Sequence, residues 1–380
     1  MAEVGVVKFA SVALRVGQAV LPAYRSKFSQ HCFTQPQLLA ILCLMRYEDW
    51  TFREAEVRLA EHRELRAALS LPHVPDYTTL YRFLRRLDEA VLEQVLSAVV
   101  QRLIPQPRPQ ATVAVDATGL TPGAVSTFFV KRAKDREPGF TWRYWLKWIM
   151  AVDVDRCVIL AQTARRGLTN DCATLRPLVS AAHERVPIAL VLADAEFDSE
   201  RNHQHIRQTL QAQSIIPAKR GGAEWQIQGV RAQMRRDFPA HLYSRRTLIE
   251  SVISAVTRKL SAHAPGRSIY TQCLQALLLG VAYNIYRLWY GPFRGCQQSQ
   301  IFSREGCGDC REGSPEEVDG PGGAVFPHPN GPATASLSLG YIYRSIHAVK
   351  PLSRAFLISP TDRVNVNFGE VRWEYSRKKF

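Results

Sequence analysis

Ile188-Ala-Leu-Val-Leu-Ala193 is six apolar residues in a row, closed by Asp194. A strand with one wet face alternates apolar and polar residues, so an unbroken run signals a strand covered on both faces. Cover on both sides takes helices, and the neighbouring sequence supplies them. Asn170 to Val186, with Asn170 as N-cap, and Ser199 to Gln213 read as helices, and Ser214 to Ala218 as a further short strand. Upstream, Thr112-Val-Ala-Val-Asp116 reads as a strand, and Thr141 to Asp155 with Cys157 to Arg165 as a long hairpin. Downstream, Arg245 to Ala262 and Ile269 to Trp289 read as long helices. Three consecutive strands followed by helix, strand, helix and strand predict an α/β fold: a mixed sheet with helices on its faces.

The pattern differs on either side of this block. Leu38, Ile41, Leu42 and Met45 recur at helical spacing, and Phe52 to Leu69 and Thr78 to Leu103 read as further helices. Pro105-Gln-Pro-Arg-Pro109 stops any helix and forms an extended connector. After Trp289, residues 291–340 hold ten Gly and six Pro with no helical or strand period, which predicts an unstructured segment. Three parts are therefore expected: an all-α segment 1–104, an α/β segment 105–290 and a disordered tail 291–380.

Composition limits the function. A chain of 380 residues, 46% of them hydrophobic, is not disordered throughout and needs no disulfide framework to fold. Its net charge of +15 suits a polyanionic partner. Eight cysteines at irregular spacing read as reduced thiols of a cytoplasmic protein. No signal peptide is legible at the N-terminus, and Gln275, Asn284 and Arg287 interrupt Cys273 to Tyr290, which reads as a buried helix and not a membrane span. Cys307-Gly-Asp-Cys310 is half a zinc motif with only Cys296 and His328 nearby, so no zinc is expected. No glycine-rich phosphate loop is legible.

Three acids sit where chemistry could use them. Asp116 and Asp194 each close an apolar strand, and Glu250 lies early in a helix behind Arg245 and Arg246. If the two strands are neighbours and the helix crosses their ends, the carboxylates converge. Converging carboxylates repel unless a hard cation such as Mg²⁺ or Mn²⁺ neutralises them, and a pair of such ions can drive in-line attack on a phosphodiester. Taken singly, an aspartate after a strand more often serves a turn or cap, and a helix glutamate beside arginines is usually a surface ion pair; the combined context is what lifts them. Glu196 and Asp198 compete with Asp194, which alone directly follows the strand. Asp153 and Asp155 suit a hairpin turn.

Val115-Asp-Ala-Thr-Gly119, Leu192-Ala-Asp-Ala-Glu-Phe-Asp-Ser199 and Tyr243-Ser-Arg-Arg-Thr-Leu-Ile-Glu-Ser-Val-Ile-Ser254 resemble the three catalytic blocks of bacterial insertion-sequence transposases of the DDE class. The likeness is closest to the insertion-sequence 4/5-like supergroup, whose third block runs Tyr, two residues, Arg, three residues, Glu; Tyr243, Arg246 and Glu250 have that spacing. The resemblance covers about residues 35 to 290. It implies a ribonuclease H-like core, two divalent metal ions held by Asp116, Asp194 and Glu250, and DNA cleavage with strand transfer. It also implies phosphate contacts from Tyr243 and Arg246 near the cut end. That group usually has a Lys seven residues after the Glu, where this chain has Thr257, then Arg258 and Lys259. One position is about 100° around a helix, and Arg258 and Lys259 are taken as candidate DNA contacts.

Other candidate DNA contacts follow from charge. Leu80, Phe83, Leu84 and Leu87 share one helical face, which leaves Arg82, Arg85 and Arg86 to the other. That basic face suits DNA phosphate, within a helix-turn-helix or alone, and it equally suits plain solvation. Lys131 and Arg132, with Lys134 and Arg136, flank a polar loop between the first two strands, close in sequence to Asp116, and have the same two readings. Trp142, Trp145 and Trp148 read as sheet packing, and Trp225, among polar residues, as a contact to distorted DNA. The leading expectation is a transposase that acts on double-stranded DNA as a homodimer, binding inverted repeats, cutting and joining with Mg²⁺ or Mn²⁺. A regulator that binds DNA without catalysis, and a nuclease that cuts without joining, are the rivals.

Overall fold

The computed structural model describes residues 4–28, 31–105, 109–122, 145–167, 170–219 and 228–290. Lys131, Arg132, Lys134, Arg136, Trp142, Trp225, the half zinc motif and the tail from 291 onward lie outside the described residues.

Six helices come first: α1 (Val6–Val20), α2 (Gln35–Tyr47), α3 (Phe52–Glu61), α4 (Arg63–Ala68), α5 (Tyr77–Arg86) and α6 (Glu89–Leu103). Thr34 with Gln37, and Thr51 with Glu54, form reciprocal capping boxes that start α2 and α3. Two helices expected as single rods are each broken. Arg66 Nη1 donates to the Leu59 carbonyl at 2.6 Å and closes α3, so that α4 begins anew. Asp88 accepts from the Ala90 N–H and caps α6 afresh after α5. The side chains that end these helices also offer hydrogen bonds that an apolar repeat does not reveal.

The sheet has β1 (Ala111–Leu120), β2 (Leu146–Asp153), β3 (Val158–Arg166), β4 (Ile188–Ala193) and β5 (Gln213–Ile215). Its order is β3-β2-β1-β4-β5. The first three strands pair antiparallel, while β4 joins β1, and β5 joins β4, in parallel. This is the mixed sheet of the expected α/β fold. Asp153 Oδ1 accepts from the Asp155 and Arg156 N–H groups and shapes the β2–β3 turn, as expected.

Helices flank the sheet: α7 (Leu175–Arg185), α8 (Glu200–Gln204), α9 (Gly229–Arg236), α10 (Ala240–Tyr243), α11 (Thr247–Lys259) and α12 (Ile269–Tyr290). Asn170 serves the turn before α7, accepting from the Cys172 N–H at 3.0 Å. The helix expected to reach Gln213 is shorter: α8 passes into a π-turn over His205–Thr209, and Gln211 then takes a left-handed φ of 53°.

Helix α12 packs on α2, α6 and β3 at once. Gln162 on β3 accepts from Trp148 Nε1 at 3.0 Å and donates to the Leu277 carbonyl at 2.8 Å. Any side chain at Gly280 would collide with Gln162, so glycine is what lets helix and strand approach. Asn284 holds both backbone groups of Ile159, accepting at 3.1 Å and donating at 2.7 Å. Between Ala151 and Val152 the β2–β3 register shifts, and Arg185 on α7 donates to the carbonyl of the bulged Leu160 and pairs with Glu93 on α6. Phe9 stacks on Tyr47 at 4.2 Å, and Tyr47 on Tyr286 at 6.1 Å. The N-terminal helices and the sheet thus share one hydrophobic core. No helix among the described residues is long and apolar enough to cross a membrane.

Candidate active site

In the parallel pair, Val115 lies opposite Ala193. The next residue on each strand is an aspartate, so Asp116 and Asp194 stand side by side where β4 ends and β1 goes on with β2 alone. Strands parting in this way open a crevice at their carboxyl ends, the usual ligand position of α/β sheets. A cleft of about 220 Å³ lies there, lined by Asp116, Thr118, Trp145, Lys147, Asp194 and Glu196 among others. Asp194 Oδ1 accepts from the Ala195 N–H at 2.6 Å and Asp116 Oδ1 from the Ala117 N–H at 2.8 Å. Each carboxylate is oriented by the N–H of the residue that follows it and keeps oxygen valence for another partner.

Across the cleft, the segment from α10 to α11 brings up the third block. Arg246 Nη1 donates to Asp116 Oδ2 at 3.0 Å, and its Nη2 donates to Glu250 Oε1 at 3.0 Å. Four residues, about one helical turn, separate Arg246 from Glu250, which sets both on one side of α11. Tyr243 lies beneath, its ring 5.8 Å from the guanidinium and edge-on to Phe238. Arg245 points elsewhere, to Thr112 Oγ1 at 3.1 Å and to Asp155.

Burial pushes the Asp116 carboxyl above its ordinary range, against the pull of the Ala117 N–H and Arg246, and the nearby Asp194 charge adds to the rise. Burial also raises the Tyr243 phenol. Arg246 is held above its usual value because Asp116, Tyr243, Asp194 and Glu250 outweigh its own desolvation. Three carboxylates, Asp116, Asp194 and Glu250, thus surround one guanidinium. Hard oxygen donors with a surplus of negative charge fit a divalent cation such as Mg²⁺ or Mn²⁺. Among the described residues no group of three or more His, Cys, Asp or Glu is gathered around one point: Asp116 and Asp194 are together, and Glu250 is joined to Asp116 through Arg246.

The competing acids have other partners. Asp198 is buried, with Arg231 at 2.7 Å and the Lys219 N–H at 2.9 Å. Glu196 is exposed at the cleft rim, 3.9 Å from Lys147 Nζ. Lys147 is a cleft residue that sequence reasoning missed; Asp171, fully buried, anchors it together with Arg165. Its signal was a lone charge in the otherwise apolar start of β2. Trp148 is wholly buried in the sheet, whereas Trp145 is half-buried, wedged against Gly119 and Gly167 and facing the cleft.

The remaining basic candidates lie away from the carboxylates or outside the described residues. Arg82, Arg85 and Arg86 are exposed on α5 over a buried Leu80, Phe83 and Leu84. Helix α5 packs on α3 through Phe52 and Tyr81, 5.7 Å apart and edge-on. Thr257 turns its hydroxyl back to the Ile253 carbonyl; Arg258 is exposed and bonded to Ser254, and Lys259 is half-buried.

No curated protein matches the chain. Among solved structures, a piggyBac transposase in a synaptic complex with hairpin DNA aligns at 9% identity, covering 74% of this chain and 72% of that one with a TM-score of 0.40. Residues 107–285 match the family model described as transposase DDE domain. That span holds Asp116, Asp194 and Glu250 together with all five strands, and over it the chain is similar to the transposase DDE domain.

Proposed function

We propose that this chain is a transposase that cuts DNA at the ends of its element and joins the freed 3′-hydroxyls to a target, with Asp116, Asp194 and Glu250 as ligands of two divalent ions. The observation that carries this reading is the pair of aspartates at adjoining strand exits, with Arg246 and Glu250 reaching across from α11. Bound Mg²⁺ or Mn²⁺ would supply an activated water or hydroxyl and a counter-charge for the leaving oxygen.

The chain's own residues then divide the remaining work. The backbone N–H of the next residue aims each of the Asp116 and Asp194 carboxylates. Arg246 and Tyr243 border the same point and suit a phosphate at the cut end, since a guanidinium pairs with phosphate through two parallel hydrogen bonds. Lys147 on the cleft wall adds a second cation toward the backbone of the bound strand. The basic face of α5, with Arg82, Arg85 and Arg86, and Arg258 and Lys259 on α11, are assigned to duplex phosphates, as are Lys131, Arg132 and Trp225. In this reading segment 1–104 contributes DNA binding, 105–290 the chemistry, and a homodimer holds two ends together.

Asp116→Ala, Asp194→Ala and Glu250→Ala are each expected to reduce Mg²⁺-dependent cleavage of DNA carrying the element's own terminal repeats to background. Binding of the same DNA in EDTA should persist, because these carboxylates hold the ions and do not touch the phosphate backbone themselves. Full cleavage by any of the three would remove that residue from the assignment. Cleavage by the unaltered chain without joined products would favour the nuclease reading.

A further inference from the structure

We infer that Arg246 is a positioning residue that makes metal loading depend on DNA: its guanidinium holds Asp116 and Glu250 together until a phosphate draws it away. The inference rests on the metal role proposed above for those two carboxylates.

The geometry points this way. One guanidinium nitrogen bonds Asp116 Oδ2 and the other bonds Glu250 Oε1, both at 3.0 Å, so a single cation bridges two acids that come from different elements. Its side chain is 16% exposed, against 57% for Glu250, so the charge that would meet an incoming ion is partly screened from water. Two cations on the same carboxylates repel strongly at such separations, so an ion and the bridging guanidinium compete for one place. Phosphate is the natural alternative partner for Arg246, because the planar fork matches it bidentately. The Tyr243 ring, 5.8 Å away, offers a surface on which the guanidinium keeps company as it turns. Phosphate and metal therefore bind with positive coupling, and each raises the affinity for the other by the same factor.

The free chain thus carries its own counter-ion. It gathers Glu250 toward Asp116 without a metal, and gives up that bridge when a DNA backbone arrives.

The test is Mn²⁺ binding by the full-length chain, followed by electron paramagnetic resonance of the free ion, with no cleavage needed. Without DNA, Arg246→Gln should bind Mn²⁺ at least about tenfold more tightly than the unaltered chain, equivalent to about 1.4 kcal/mol. A purely structural role for Arg246 would instead weaken binding or leave it alone, and either result overturns the inference. In the unaltered chain, a short duplex should raise Mn²⁺ affinity once binding by the duplex alone is subtracted. Equal affinity with and without duplex overturns the inference even if the variant does not fold. Asp116→Ala separates the two layers of argument. If it leaves Mn²⁺ binding unchanged, the metal site itself is misassigned. If it abolishes binding while Arg246→Gln gives no tightening, the site stands and the Arg246 gate falls.

Discussion

His203 is wholly buried, with Nδ1 2.7 Å from Ser214 Oγ and Nε2 3.9 Å from Asp198, a distance too long for a hydrogen bond. Burial pushes its pKa down from 6.5 to about 4, against the pull of Asp198 and with the help of Arg207. The imidazole is therefore neutral in the folded chain at pH values where it would be charged in the unfolded one. A depressed histidine contributes stability that is fully present above its unfolded value of 6.5 and is lost as pH falls toward 4. Between pH 7 and pH 5 that loss amounts to about 2 kcal/mol. Urea midpoints at the two pH values should show a larger acid loss for the unaltered chain than for His203→Gln; equal losses would assign the acid sensitivity to other groups. Asp116 and Asp194 stood out in the sequence because each ends an apolar run. His203 and Lys147 did not, since a histidine inside a helix and one lysine in a strand look ordinary until their neighbours are known.

At the scale of elements, β4 was legible to the residue because six apolar residues have one reading when both faces are covered. Strand β1 runs past the expected Asp116 to Leu120 because β2 pairs with it along that length, which local sequence does not encode. Helices α1 and α9 were not foreseen. Seven buried residues spread over α1 blur its helical stripe, and α9 takes its start from Glu200, whose carboxylate accepts from the Val230 and Arg231 N–H groups. Helix α5 is shorter than the expected rod but keeps the expected faces, with three exposed arginines over an apolar underside. If that face meets duplex phosphate, replacing Arg82, Arg85 and Arg86 by glutamine should reduce the slope of log affinity against log salt by about 0.9 for each phosphate that is no longer neutralised. An unchanged slope, measured by titration of binding against NaCl, would make the face merely solvated.

Over the whole molecule, α12 ties the chain together. It returns from the far end of the described chain to pack on α2 and α6 as well as on β3, and six buried residues of α6, from Leu92 to Leu103, face this shared core. Each such Leu or Val contributes about 1.5–3 kcal/mol when fully buried, and would be stranded in water if the N-terminal helices stood alone. Residues 1–105 expressed by themselves are therefore expected to lack a cooperative thermal transition, while the full chain melts both regions together. A sharp independent melt of the fragment, followed by circular dichroism, would show that the helices carry a core of their own.

The treatment of β3 has a consequence for how copies of this chain can meet. It is an outermost strand, the kind of border along which proteins stack into ribbons and fibrils. Here part of the main chain along that border is already engaged: Asn284 holds Ile159, Arg185 holds the Leu160 carbonyl, and the Cys273 thiol reaches the Ala164 carbonyl. The opposite border, β5, is three residues long. Among the described residues, a newcomer strand would have to displace these contacts before it could join the sheet at β3, which disfavours that route for pairing two copies.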